Sequence, residues 1–174
     1  METNYKWNAA ARDGLLLSLV TIIFSLVSSV FTPRGILAVG LWAVKFGGCL
    51  YLLHHFMKKY AEPFDRLDYR QSFSFGTLVC LFSSIICACF AFASLVWLFP
   101  DTADQVAAQI EQTMAARHYT PEQENAVTSM MNRLPQIMFF GTFVYYFIFG
   151  VAASAVTANF TKKDNPFGDS GEDL

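Results

Sequence analysis

Residues 73–99 read FSFGTLVCLFSSIICACFAFASLVWLF, an unbroken run of 27 residues without a charged side chain. A helix needs about 20 apolar residues to cross the hydrocarbon layer of a bilayer, which is about 30 Å thick. The run therefore predicts a transmembrane helix that tilts or extends into the interface. Because one transmembrane helix embeds the chain in a bilayer, the same length criterion applies to its other apolar runs.

Three further apolar runs predict three further spans, at residues 14–31, 36–56 and 137–158. Two of them contain no charge, and the run 36–56 contains one charged residue, Lys45, near its middle. The whole chain of 174 residues is 54% hydrophobic and 16% aromatic, more than is usual for a soluble domain. The sequence predicts an all-α integral membrane protein, a four-transmembrane-helix bundle that forms one domain over residues 1–160.

The segments outside the spans differ in length and pattern. Residues 32–35 (TPRG) allow only a tight reversal. The largest loop is 100–134, where TPEQ at 120–123 offers an N-cap hydroxyl, a proline at the first helical position and a glutamine three residues after the cap. This pattern predicts a short helix in the loop, and a weaker pattern predicts another over 101–114. The polar residues 161–174 are predicted to be a disordered tail.

Basic residues are unevenly divided between the two sides of the predicted bundle. Eight belong to the N-terminal segment, the second loop and the tail, whereas the other side has Arg34, Arg117 and Arg133. Because Lys and Arg near span ends are retained in the cytoplasm, both termini are expected to be cytoplasmic and the loop 100–134 extracytoplasmic.

Sequence signatures of catalysis are lacking. The chain has no phosphate-binding glycine loop, nucleophile elbow or metalloprotease His-Glu pair, and the predicted spans contain no carboxylate for intramembrane acid–base or proton-coupled chemistry. An enzyme acting on polyprenyl-linked sugars ranks last, because only Glu62, Asp65 and Asp68 could supply clustered acids. We therefore expect that the protein is not an enzyme and that it binds no cofactor.

Metal and nucleic-acid binding are not indicated either. The cysteines all lie in apolar runs without supporting ligands, so we interpret them as small buried residues and expect no metal site: Cys49, Cys80, Cys87 and Cys89. A net charge of −2 without a basic aromatic stripe argues against nucleic acid.

Lys45 is the first candidate binding residue. A central lysine costs about 2.5–3.5 kcal/mol on the insertion scale, so its ammonium must meet a polar group. The alternatives are a backbone carbonyl, water in a polar cavity, a partner's carboxylate, a bound phosphate or the hydroxyl of Tyr51, Tyr145 or Tyr146. A lysine that bends toward a local water defect without any role is a further alternative.

The other candidate binding residues are basic and lie outside the spans. Arg34 at the first hairpin and a cluster after the second span could hold anionic lipid head groups or phosphates, the cluster being Lys58, Lys59, Arg66 and Arg70. For the cluster, the alternative is that the charges only set the topology.

Small residues recur at helical spacing within two spans and predict close packing, since small side chains let helix backbones approach in lipid. The stripes comprise Gly150, Ala153, Ser154, Thr157 and Ala158 in the fourth span, and Ser84, Cys87, Ala88 and Ala91 in the third.

Several short elements occur in an order that resembles a known family. They are Trp7 with AARDG at 10–14, YRQSFSFG at 69–76, Pro100-Asp101, and KKDNPF at 162–167. The chain resembles membrane proteins of Bacteroidota known as domain of unknown function 4199. The resemblance implies a bacterial inner-membrane location and an accessory or anchoring role beside a membrane-associated glycosyltransferase, and it supplies no catalytic residue.

Together these patterns predict a non-catalytic inner-membrane subunit or scaffold of a membrane complex, with membrane lipids and a protein partner or a second copy as its contacts. The alternative is a small lipid or solute carrier that works as a homo-oligomer. A carrier predicts a polar cavity that reaches the midplane, and a scaffold predicts small-residue faces left uncovered in the monomer.

Overall fold

The computed structural model describes residues 2–31, 36–64, 66–98, 105, 108–110, 112–113, 121–131 and 133–161. All the elements found there are helices. They are α1 (Glu2–Phe31), α2 (Ile36–Ala61), α3 (Tyr69–Ala93) with a π-helical continuation (Ser94–Leu98), α4 (Pro121–Met131) and α5 (Leu134–Thr161). Helix is the expected outcome for apolar segments in lipid, because a helix satisfies its own backbone hydrogen bonds.

Three stretches of the described chain are long and apolar enough to cross a membrane: Tyr5–Ser28, Tyr69–Leu98 and Leu134–Thr161. They include the third and fourth predicted spans and most of the first. The second predicted span, 36–56, falls in α2 and stays a prediction. Arg34 and the tail beyond residue 161 lie outside the described residues, as does most of the helix predicted over 101–114.

The helix that contains the first predicted span begins before residue 14, because α1 is already helical from Glu2. The polar residues before Gly14 are therefore part of a continuous helix. Asp13 lies inside the stretch Tyr5–Ser28 and one residue before the predicted span 14–31, so the absence of carboxylates from the spans stays a prediction.

The chain divides into two compact units, one of residues 1–84 with 146–174 and the other of residues 85–145. The first unit contains α1, α2, the start of α3 and the end of α5. Its core is made by buried residues from these four helices: Ala10, Leu17, Leu53, Phe56, Met57, Phe75, Val79, Cys80, Ala153 and Ala158. On α2 and α3, spacings of three and four residues put one stripe of the helix against its neighbours.

Local hydrogen bonds fix the helix ends. The carbonyl of Asp68 accepts from the backbone N–H groups of Gln71 and Ser72, so Asp68 is the N-cap of α3. The carbonyl of Arg133 accepts from the N–H of Ile137 and starts α5 in the same way. In the second unit, α4 begins at Pro121, a residue whose missing N–H costs nothing at a first helical position.

Candidate functional site

Three glycines lie where two helices of the first unit approach closely. A Cβ added to Gly14 would lie 2.8 Å from the backbone oxygen of Val79, and one added to Gly150 would lie 2.5 Å from the Cβ of Cys80. A Cβ on Gly76 would lie 2.8 Å from the sulfur of Met57. These contacts leave no room for a methyl group, so each glycine permits a helix separation that alanine would prevent.

The small-residue stripe of the fourth span is buried, as predicted, and comprises Gly150, Ala153, Ser154, Thr157 and Ala158. In the third span, Ser84, Cys87 and Ala88 are buried and Ala91 is half-buried. Hydroxyl and thiol groups also connect α3 with α5 near the stripe of the fourth span. The Ser72 and Thr161 hydroxyls are 2.6 Å apart, and the Cys80 sulfur lies 3.6 Å from the Ser154 hydroxyl.

Other glycines face open space. Among the described residues, no atom lies within 4 Å of a Cβ added to Gly40, Gly47, Gly48 or Gly141. On α2, Gly40 and Gly47 belong to one helical face whose members are all exposed: Ile36, Gly40, Ala43, Gly47 and Tyr51. We call this set the α2 face. It has the small-residue spacing of a helix contact, but within the described chain no other helix covers it.

Lys45 points into the first unit from α2 and finds a partner on α5. Its ammonium donates a hydrogen bond of 2.9 Å to the hydroxyl oxygen of Tyr146. The same nitrogen is 5.4 Å from the centre of the Tyr146 ring. The difference between these two distances nearly equals the distance from the centre of a tyrosine ring to its hydroxyl oxygen. The ammonium therefore lies beyond the hydroxyl and not over the ring face. The hydrogen bond is therefore the main interaction, and cation–π attraction is secondary.

Aromatic residues lie close in sequence to both members of this pair and contact one another across α2 and α5. Phe46, the next residue along α2, stacks on Trp42 with ring centres 5.4 Å apart and meets Phe149 edge-on at 5.1 Å. A hydroxyl is a neutral acceptor, so the positive charge of Lys45 is solvated by a dipole and is not neutralised. Of the alternatives drawn from the sequence, the structure shows the Tyr146 hydroxyl.

A second polar site lies near the start of α1. Asp13 is only 5% exposed, and its Oδ1 atom is 3.4 Å from the Nε of Arg12, whose side chain is largely exposed. By geometric criteria this oxygen has no hydrogen-bond donor among the described residues. His55 and Lys59 of α2 lie near enough to act electrostatically on the carboxyl.

Further contacts at this end of α1 join it to α3. The ammonium of Lys6 donates to the hydroxyl of Ser74 at 2.8 Å, and the Trp7 ring meets Phe82 edge-on at 6.1 Å. Lysine and tryptophan are the residues that anchor helices at the membrane interface. The start of α1 is therefore held by polar contacts where an apolar core ends.

The predicted basic cluster is spread along the connection from α2 to α3. Lys58 and Lys59 occupy the last turn of α2, Arg66 follows it, and Arg70 lies in the first turn of α3. All four side chains are exposed, and Lys59 is the one brought near Asp13. The cluster and Lys45 lie on different parts of α2 and do not form one site.

No group of three metal-binding side chains is placed around a common point in the part of the chain that the structure describes. The four cysteines are free thiols. Among the described residues of the first unit, the polar groups include the lysine–tyrosine pair, the buried carboxyl of Asp13 and a series of hydroxyl and thiol groups.

Over the part of the chain that the structure describes, the protein is all-helical, has three helices long and apolar enough to cross a membrane, and packs through glycines and hydroxyl-bearing residues. The chain belongs to the family described as protein of unknown function (DUF4199), which matches residues 12–163. The resemblance found in the sequence is thereby confirmed. No curated protein and no solved structure matches the chain.

Proposed function

We propose that this protein is a non-catalytic subunit or scaffold of a membrane complex and that it holds its partner through the α2 face. In this proposal the chain crosses the bacterial inner membrane four times, with both termini cytoplasmic. The observation that carries it is the contrast between two sets of glycines in one chain. Gly14, Gly76 and Gly150 are covered by a neighbouring helix, and Gly40 and Gly47 are not.

Glycine has a clear use at a helix contact and little use against lipid. At a contact it lets two backbones approach, and that approach supplies the van der Waals packing that holds membrane helices together. Against lipid it offers no side chain and lowers the helix propensity by about 0.5–1 kcal/mol relative to alanine. The α2 face therefore has the composition of an interface whose second member is another chain.

The family resemblance suggests the class of that partner, a membrane-associated glycosyltransferase, while a second copy of this chain would use the same face. Affinity capture of the tagged full-length protein from native membranes, followed by mass spectrometry, identifies the partner. The matched variants are Gly47→Leu, which fills the α2 face, and Ala152→Leu, which adds a leucine side chain at an exposed small residue of α5. We expect Gly47→Leu to lose the partner and Ala152→Leu to retain it. Equal capture by both variants would remove the α2 face from the proposal.

A carrier is the second candidate, and the Lys45–Tyr146 pair is the observation that favours it. Ionisable residues inside membrane helices commonly mark substrate or ion pathways. A carrier needs Lys45 to exchange its hydroxyl partner for a substrate, whereas a scaffold needs only that the charge be tolerated. Lys45→Met, measured for both partner capture and solute or lipid uptake in vesicles, separates the two functions.

A further inference from the structure

An open apolar groove of about 610 Å³ runs along one face of α5 in the second unit. Its lining residues recur at helical spacing and are Arg133, Gln136, Ile137, Phe140, Gly141, Val144 and Tyr145. Most of the polar lining residues lie at the end of the groove nearest the start of α5, and the middle of the groove is lined by apolar residues. Gly141 deepens the groove, because a Cβ at this position would have nothing within 4 Å.

The length of α5 places the two parts of the groove at different depths. A helix of 28 residues is about 42 Å long, and the hydrocarbon layer is about 30 Å thick. The ends of α5 therefore reach the head-group region. Arg133, immediately before the helix, lies at head-group depth, while Phe140 and Gly141 lie about 10 Å further along, among acyl chains.

The charge at the head-group end is available for a ligand. The side chain of Arg133 is exposed, and it forms no ion pair with any residue that the structure describes. A guanidinium binds phosphate through two parallel hydrogen bonds. Gln136, one turn further on, adds an amide donor on the same side of the groove.

We infer that this groove binds an anionic phospholipid. The phosphate contacts Arg133, and one acyl chain follows Ile137, Phe140 and Gly141 toward the bilayer centre. The volume falls within the range of about 300–1,000 Å³ usual for small-molecule sites. An anionic lipid fits better than a second copy of the chain, because the groove combines a cation at head-group depth with an apolar floor along the membrane normal.

Tryptophan quenching by lipids with brominated acyl chains tests the site directly. The probe is Phe140→Trp in the full-length protein, reconstituted in phosphatidylcholine vesicles that contain brominated phosphatidylglycerol or, at equal mole fraction, brominated phosphatidylcholine. The emission of the native tryptophans is subtracted with the parent protein. The matched control is Met138→Trp, two residues away and so at nearly the same depth, but about 160° around the helix. Phe140 and Met138 are 63% and 44% exposed.

We expect phosphatidylglycerol to be enriched about fivefold over phosphatidylcholine at position 140 and to show no enrichment at position 138. Fivefold corresponds to the roughly 1 kcal/mol that one basic side chain contributes at an anionic surface. Arg133→Gln should abolish the preference, and Arg133→Lys should keep part of it, which excludes a folding defect as the cause. Equal quenching by the two lipids at position 140 would overturn the inference. Protection of position 140 from both lipids would also overturn it and would indicate that protein covers the groove.

Discussion

The contact between Gly150 of α5 and Cys80 of α3 can be tested by adding a Cβ atom to the first residue and removing the Cβ atom of the second. A Cβ on Gly150 would lie 2.5 Å from the Cβ of Cys80 and 2.8 Å from its sulfur. The Cβ of Cys80 is fixed to the α3 backbone, so it cannot rotate away. Gly150→Ala must therefore push the two helices apart.

The expected cost follows from two opposing terms. Overpacking of a well-packed core costs about 1–3 kcal/mol. Alanine gains about 0.5–1 kcal/mol over glycine within a helix. Gly150→Ala should therefore lower the free energy of unfolding by about 1–2 kcal/mol. In a Cys80→Gly background the obstructing Cβ is gone, so the same change should be neutral or stabilising, which gives a coupling energy of about 1–3 kcal/mol.

Unfolding of the purified protein by increasing mole fractions of dodecyl sulfate in mixed micelles, followed by circular dichroism, measures these energies. Cys80→Ala is the control background, because it removes the sulfur but keeps the Cβ. Gly150→Ala should remain destabilising there. A cost that is the same in the Cys80→Gly and Cys80→Ala backgrounds would show that α3 and α5 do not meet at these two residues.

Three further predictions concern charged residues and topology. Lys45→Met should insert at least as well as the wild type and, for a scaffold, leave partner capture unchanged; loss of transport in vesicles would favour the carrier. Asp13→Asn should raise stability against dodecyl sulfate by about 1 kcal/mol, since it removes a buried charge with an unpaired oxygen; a loss above 2 kcal/mol would mean that the carboxylate is well paired. A membrane-impermeant maleimide should label Ser129→Cys but not Arg66→Cys in intact cells, and the reverse pattern would invert the proposed orientation.

Local sequence features predicted the helices and part of the packing. Run length located the apolar helices, because crossing the hydrocarbon layer sets a minimum number of residues. Helical spacing identified the buried stripe from Gly150 to Ala158, because all its members share one face. The sequence also named Tyr146 among the possible partners of Lys45, since few polar groups occur at that depth.

Contacts between helices could not be derived in the same way. Gly150 and Gly141 occur in similar apolar surroundings in the sequence, yet a Cβ on the first would meet Cys80 of α3 and one on the second would meet nothing among the described residues. The difference depends on which face each helix turns toward its neighbours. The apolar run also did not indicate that α1 begins as early as Glu2, because the residues before Gly14 are polar and helix continues through them.

The position of Asp13 bears on the choice between scaffold and carrier. Asp13 lies in the stretch Tyr5–Ser28, so this stretch does offer a carboxylate for proton-coupled chemistry. Its separation from Lys45 argues against such chemistry between the two residues. Asp13 lies near His55 and Lys59. His55 is ten residues after Lys45, or about 15 Å along α2. Proton transfer between two ionisable groups requires that they be within hydrogen-bond distance or be connected by a water. Apolar residues such as Leu17 and Leu53 are buried in the core of this unit. Lys45 is solvated by a hydroxyl, whereas Asp13 has a guanidinium nearby but keeps one oxygen without a hydrogen-bond donor among the described residues. The two groups lie at different levels along α2, and this favours separate structural roles in the proposed scaffold over paired roles along a transport path.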